Sequence, residues 1–231
     1  MSSWSRVART TIGLKYIVGV TGLLLGGFVL IHLLGNLQVY LGADAMNTYA
    51  ATLKGMPGPL WMARLGLLAV FAIHIIANLK LRARNQAARR VDYDDKKPLA
   101  STAASRSMLV TGFALLAFIL YHLAHFTLGL TDPQNFHLTD ELGRHDVYSM
   151  LVLGFQQPLV SGLYIIAMGF LGLHLYHGMA SVFQTVGVRK MTFREAMDGF
   201  GHAFALLVVI GNISIPLACL VGLLEPAQGV F

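Results

Sequence analysis

The chain has 231 residues, of which 55% are hydrophobic and only 12% are charged, and its formal net charge is +6. This composition excludes an ordinary soluble domain and indicates an integral membrane protein. Cys219 is the only cysteine. A four-cysteine iron–sulfur cluster, a covalent CxxCH haem attachment and an internal disulfide are therefore excluded within this chain.

Five long apolar runs follow one another along the chain, at about residues 13–41, 60–82, 107–130, 158–184 and 199–224. Each supplies about 20 or more residues, roughly the number that a helix needs to cross the ~30 Å hydrocarbon core. The runs should be helices, because lipid cannot satisfy backbone polar groups and five spans cannot close a barrel. The first run is too long for a cleaved signal and no small-residue cleavage site ends it. We predict an all-α fold, a single domain over residues 1–231 that forms a five-helix membrane bundle.

Basic residues are distributed unevenly between the two sides of the predicted spans. Only Lys54, Arg64 and Arg144 fall on one side, while 14 of the 17 fall on the other. Because Lys and Arg accumulate in cytoplasmic loops, we predict a cytoplasmic N-terminus, an outside C-terminus and a multi-pass location in the inner (cytoplasmic) membrane. The net charge then reflects topology and a docking surface, with no need for a nucleic-acid partner. The 14 are Arg6, Arg9, Lys15, Lys80, Arg82, Arg84, Arg89, Arg90, Lys96, Lys97, Arg106, Arg189, Lys190 and Arg194.

Each of the first four runs contains a histidine well inside it, namely His32, His74, His122 and His174. Ionisable side chains at membrane depth are costly and mark functional sites. The segments VTGLLLGGFVLIH and VTGFALLAFILYH end at His32 and His122. Both helices run outwards, so these two histidines should share an outer level. His74 and His174 lie 14 and 16 residues into spans that run inwards, so they should share an inner level, roughly 15 Å away.

Two imidazoles at one level can hold one haem iron from both sides. We therefore predict two b-type haems bound without covalent attachment, one between His32 and His122 (the outer pair) and one between His74 and His174 (the inner pair). A haem with two histidine ligands has no open coordination position, which makes it an electron carrier. We expect each ligand to be oriented through its second ring nitrogen by a backbone carbonyl one turn earlier.

At these residues the chain resembles the type B cytochrome b subunit of succinate:quinone oxidoreductases, the family of succinate dehydrogenase and fumarate reductase. The likeness covers nearly the whole chain and includes five spans with one histidine on each of the first four. Its motifs are HLLGNL at His32, a TG pair eleven and ten residues before His32 and His122, and HLYHGMASVFQTVG, which begins at His174. The resemblance implies that the outer pair holds the haem distal from the soluble subunits and the inner pair the proximal one.

The resemblance also implies partners and a reaction. A flavoprotein subunit would oxidise succinate, a step of the tricarboxylic acid cycle, and an iron–sulfur subunit would pass the electrons to this anchor. This chain would hold no dicarboxylate site and would contribute haem electron transfer and quinone reduction to respiratory complex II. A two-haem anchor resembles the members that use menaquinone. The complex could also associate into a higher oligomer.

Two neighbouring histidines compete for the ligand roles, because His125 and His177 each follow a predicted ligand by three residues and share roughly one helix face with it. Within the resemblance, the TG spacing favours His122, and a glycine 13 residues downstream favours His174. One position departs from the family: Gly172 stands where a fumarate reductase relative carries a glutamate used in proton movement. A carboxylate proton path is therefore not expected. We interpret His137, His145 and Asp146 as parts of a solvated outer loop.

Three other functions are compatible with parts of the pattern. The HLAH and HLYH segments could be histidine boxes of a di-metal membrane oxidase or desaturase, although the two segments lie at different depths. Intramembrane histidines also occur in transporters and proton channels, whose helices tend to be broken near the midplane. The cytochrome b subunit of another membrane dehydrogenase, such as a hydrogenase, would keep the haems but change the partner.

Overall fold

The structure is a computed structural model that describes residues 10–88, 103–185 and 194–227. These residues form an all-α fold in which five helices are long and apolar enough to cross a membrane. The predicted five-span helical architecture is thus confirmed for this part of the chain. The five are α1 (Thr11–Asn36), α3 (Pro57–Ala87), α4 (Ala103–His122), α7 (Pro158–Thr185) and α8 (Arg194–Leu220).

Local signals at the helix ends explain where the structure departs from the predicted spans. The span that begins with α4 continues through a π-helical turn, Leu123–Thr127, and stops before the predicted residue 130. The fifth span stops at Leu220 rather than at residue 224. Gly129 and Gly222 have φ angles of 65° and 73°, the left-handed conformation that commonly ends a helix. Apolar residues beyond these turns extend the hydrophobic run but not the helix.

Short helices between the spans were not predicted. They are α2 (Ala43–Lys54), α5 (Pro133–Phe136) and α6 (Val147–Gln156), and α1 is extended by a 3₁₀ turn at Leu37–Leu41. Val39 and Val152 are fully buried, and they share a hydrophobic cluster with Tyr164 of α7 and Cys219 of α8. The connecting segments therefore form a packed cap on one end of the bundle.

A polar network holds this cap together. The Asp146 carboxylate is fully buried, and its Oδ1 accepts hydrogen bonds from Asn47 Nδ2 at 2.9 Å and from the Ser149 backbone N–H at 3.0 Å. Arg144 pairs with Asp44 at 2.8 Å and with Asp140 at 2.7 Å. The hydrogen bond to Asp44, followed by that to Asp140, raises the pKa of the Arg144 guanidinium. The interpretation of Asp146 as a solvated loop residue is therefore wrong, since it caps α6 from inside the fold.

The spans pack in an order that positions the histidines. The main helix contacts are α7 with α8, α1 with α3, α4 with α7, and α1 with α7. A glycine permits α1 and α8 to approach each other closely, because a Cβ added at Gly211 of α8 would lie 2.8 Å from Leu33 Cδ2 of α1. The helices that carry the four predicted ligands thus form two adjoining pairs, α1 with α3 and α4 with α7.

Candidate functional site

His74, the first member of the inner pair, is positioned where α1 contacts α3. His74 is half-buried, and its Nδ1 lies 2.9 Å from the hydroxyl oxygen of Thr21, a buried residue of α1. The next residue of α1 is Gly22, and a Cβ added there would lie 3.3 Å from His74 Cε1. The absence of a side chain at this position leaves room for the imidazole edge. One threonine and one glycine on α1 therefore orient the ring on α3.

The same arrangement recurs between α4 and α7. His174 Nδ1 lies 3.2 Å from the hydroxyl oxygen of Thr111, which is 1% exposed, and a Cβ added at Gly112 would lie 3.7 Å from His174 Cε1. The repeated VTG segments of α1 and α4 thus contact equivalent histidines on the neighbouring helices.

The outer pair comes together differently. The rings of His32 and His122 lie edge to face, with centroids 5.8 Å apart and an interplanar angle of 85°. His32 is exposed on the surface of the chain, and it stacks on Phe28 with centroids 5.4 Å apart. Aromatic side chains surround His122, since Phe118 and Phe126 each have a ring centroid 6.0 Å away.

The rival residue His125 occupies a separate environment. It is 4% exposed, stacks on Phe126 at 4.0 Å, and faces α6, where a Cβ added at Gly154 would lie 3.2 Å from its Nε2. Tyr164 joins it to His122, because the phenol oxygen lies 3.2 Å from His125 Nδ1 and 3.3 Å from His122 Nδ1. Of the two histidines, it is therefore His122 whose ring lies beside His32.

The two pairs lie at two levels of the bundle. Thr21, which contacts His74, precedes His32 by eleven residues on α1, and Thr111, which contacts His174, precedes His122 by eleven on α4. At 1.5 Å per residue, eleven residues of helix correspond to roughly 16 Å. Contacts on two separate helices therefore give the same spacing between the inner pair and the outer pair.

The spacing of the outer pair fits a metal held between two imidazoles. A metal about 2 Å from one nitrogen of each ring separates the ring centroids by roughly 6 Å, and the centroids of His32 and His122 are 5.8 Å apart. In His74, His122 and His174 the contact to a hydroxyl group is made by Nδ1. The Nε2 atom of each of these rings is thus the one left for a metal.

Sequence reasoning missed the groups that orient the ligands. A backbone carbonyl one turn earlier was expected, but the side-chain partners are the hydroxyl groups of Thr21, Thr111 and Tyr164, all on neighbouring helices. The signal was visible, because a threonine recurs eleven residues before both His32 and His122.

Gly172 lies where α7 packs closely against α8. A Cβ at this position would lie 2.7 Å from Val209 Cγ2 of α8, so any larger side chain requires Val209 or the helices to shift. The glycine permits this close packing, and a glutamate would require the same shift.

Comparison of the chain with protein-family models, with curated proteins and with solved structures yields no match.

Proposed function

We propose that this chain is the dihaem cytochrome b membrane anchor of a succinate dehydrogenase, which passes electrons from an iron–sulfur subunit through two b haems to menaquinone. The observation that carries the proposal is the placement of four histidines from four membrane-length helices at two levels, with His32 beside His122 at one level and His74 and His174 on equivalent threonines at the other. The imidazoles of His74, His122 and His174, which contact a hydroxyl group through Nδ1, match the ligand chemistry of haem iron. The resemblance in the HLLGNL and HLYHGMASVFQTVG segments supports the choice of family.

The residues of this chain have distinct parts in the proposed mechanism. Haem bound by two histidines supplies reversible one-electron transfer. His74 and His174 would bind and orient the group nearer the cytoplasm, and His32 and His122 would do so at the outer level. Apolar side chains of the spans would exclude water from both positions. With roughly 16 Å of helix between the two levels, the histidines would define a route for electrons across the membrane.

The proposed orientation places the N-terminus in the cytoplasm. In that orientation the exposed side chains of Arg82 and Arg84, at the end of α3, lie on the inner side and contribute to a basic docking surface for the iron–sulfur subunit. Four further basic residues follow in the sequence and fall outside the described residues, namely Arg89, Arg90, Lys96 and Lys97. In the proposed complex this chain is the subunit that reduces quinone, and the reaction takes place within the membrane.

The first experiment measures haem directly. The complex is purified from membranes with this chain, and a dithionite-reduced minus oxidised spectrum is combined with a pyridine haemochrome assay of haem b per chain. We expect two low-spin b haems for each chain. Absence of haem, with bound iron or zinc in its place, would overturn the proposal and favour a histidine-box enzyme.

A second experiment identifies the partner. Affinity purification of the tagged chain from its native membrane should recover a flavoprotein and an iron–sulfur protein, together with succinate-dependent reduction of a menaquinone analogue. Two haems accompanied by a hydrogenase or formate dehydrogenase subunit would retain the cytochrome and refute the succinate dehydrogenase assignment.

In sealed vesicles, uncouplers should change the rate of succinate:menaquinone reduction if electrons cross the membrane through both pairs.

A further inference from the structure

The hydrogen bonds around Thr21 determine the proton position on His74. A threonine hydroxyl has one proton to donate, and Thr21 Oγ1 donates it within α1 to the Ile17 carbonyl at 2.7 Å. With its proton given to this carbonyl, the same oxygen accepts from His74. Because Nδ1 of His74 is the atom 2.9 Å away, that nitrogen is then the donor. A neutral imidazole has one N–H, so its Nε2 carries the lone pair.

The same reasoning applies to the second member of the inner pair. Thr111 Oγ1 donates within α4 to the Met108 carbonyl at 3.2 Å, and it lies 3.2 Å from His174 Nδ1. With the hydroxyl proton given to the carbonyl, His174 is also a donor through Nδ1, and its Nε2 carries the lone pair. Two helices with different sequences produce the same three-atom arrangement of carbonyl, hydroxyl and imidazole.

We propose that Thr21 and Thr111 are positioning residues of the inner haem site, which hold His74 and His174 in the Nδ1–H tautomer and direct both Nε2 atoms to the iron. The proposal rests on the proposed haem function. Donation from Nδ1–H to a hydroxyl oxygen makes an imidazole more basic as a ligand. A more basic ligand stabilises ferric iron and lowers the midpoint potential. The threonines therefore set both the geometry and the redox potential of this site.

The chain offers isosteric variants and a matched control. Thr21→Val and Thr111→Val keep the branched shape but remove the acceptor oxygen, while Thr21→Ser and Thr111→Ser retain it. Thr185→Val is the control, because the Thr185 hydroxyl also donates within its own helix, to the Ser181 carbonyl at 2.9 Å, but this hydrogen bond is exposed. If valine prevents assembly of the complex, Thr21→Ala and Thr111→Ala remove the same acceptor without adding bulk.

The experiment is a potentiometric titration of both haems in the purified complex, together with a haem count. We expect two resolved redox steps in the wild type, and the step that is lost in His174→Ala identifies the inner site. In each valine variant this step should move to a higher potential, and haem affinity at this site should fall roughly tenfold. The other step should stay in place. The serine variants should restore the wild-type potential, and Thr185→Val should change neither step.

The outcomes separate this inference from the proposed function. A wild-type complex without haem would refute the proposed function. Two normal haems in the wild type, with an inner step that does not move in either valine variant, would refute only the role of the threonines. Equal movement of both steps, or an equal shift in Thr185→Val, would also refute it, because the effect would then be a general loss of packing.

Discussion

The inner and outer pairs use the same side chain, but their surroundings differ. At the inner pair, each imidazole has its own threonine and its own glycine on an adjacent helix. At the outer pair, His122 and His125 share one phenol, and His32 stacks on Phe28. Hydrogen bonds therefore orient the inner ligands, whereas aromatic packing contributes most of the contacts at the outer ligands. Sites of identical ligand type can thus differ in redox potential and in tolerance of substitution.

The largest effect is expected from removal of a ligand. His174→Ala should empty the inner site and His122→Ala the outer site, so each should lower the haem content from two to one per chain. The neighbouring variants His177→Ala and His125→Ala are matched controls and should keep both haems. A pyridine haemochrome assay on purified protein measures the count, and gel filtration checks assembly.

The pattern of losses would test the comparison itself. Loss of the same redox step in His174→Ala and His122→Ala would show that the two histidines do not belong to separate sites. Loss of haem in His125→Ala, with retention in His122→Ala, would show that His125 rather than His122 is the ligand of the outer haem.

The second effect concerns the glycines that make room for the inner ligands. In Gly22→Ala the added methyl group would lie 3.3 Å from His74 Cε1, so the ring must move by a few tenths of an ångström, whereas the corresponding distance at Gly112 is 3.7 Å. We expect Gly22→Ala to shift the inner redox step and to accelerate haem loss, with a smaller effect from Gly112→Ala. Gly27→Ala is the control, since no atom lies within 4 Å of its added Cβ. Equal behaviour of all three variants would contradict a steric role for Gly22.

How much of this arrangement could be predicted depends on the kind of interaction. The spans at 60–82 and 158–184 were close to the helices Pro57–Ala87 and Pro158–Thr185, because the length of an apolar run is fixed by membrane thickness. The two-level spacing of the histidines followed from the helix rise alone. These features depend on the local sequence and on the constant rise of the α-helix per residue.

Features that depend on contacts between helices could not be predicted in the same way. Burial of Asp146 requires Asn47, which lies 99 residues away along the chain, and no local pattern marks that pair. The Thr21–His74 contact spans 53 residues and depends on the rotation of α1 against α3. The hydrophobic pattern of α1 is nearly uniform around the helix, so it does not define which face meets which neighbour.

A third, smaller effect tests the shared phenol of the outer pair. If His122 binds iron through Nε2, its Nδ1–H donates to Tyr164, and the Tyr164 hydroxyl proton is available for His125 Nδ1. Tyr164→Phe removes this acceptor, so the outer redox step should move to a higher potential while the inner step stays in place. Two buried imidazoles also lose a partner, which should cost about 1–3 kcal/mol of unfolding free energy. Movement of the inner step alone would contradict the assignment of Tyr164 to the outer site.

The smallest effect is expected at the stacked pair of Phe28 and His32. Their rings are 5.4 Å apart with an interplanar angle of 19°, and such contacts contribute roughly 0.5–1.5 kcal/mol beyond burial. Phe28→Leu should therefore retain both haems but speed release of the outer one by roughly 2- to 10-fold, measured by transfer to apomyoglobin. Phe113→Leu, a substitution at an exposed position on α4, is the control. An unchanged release rate in Phe28→Leu would mean that stacking does not orient His32, and that the outer pair depends on His122 and its phenol alone.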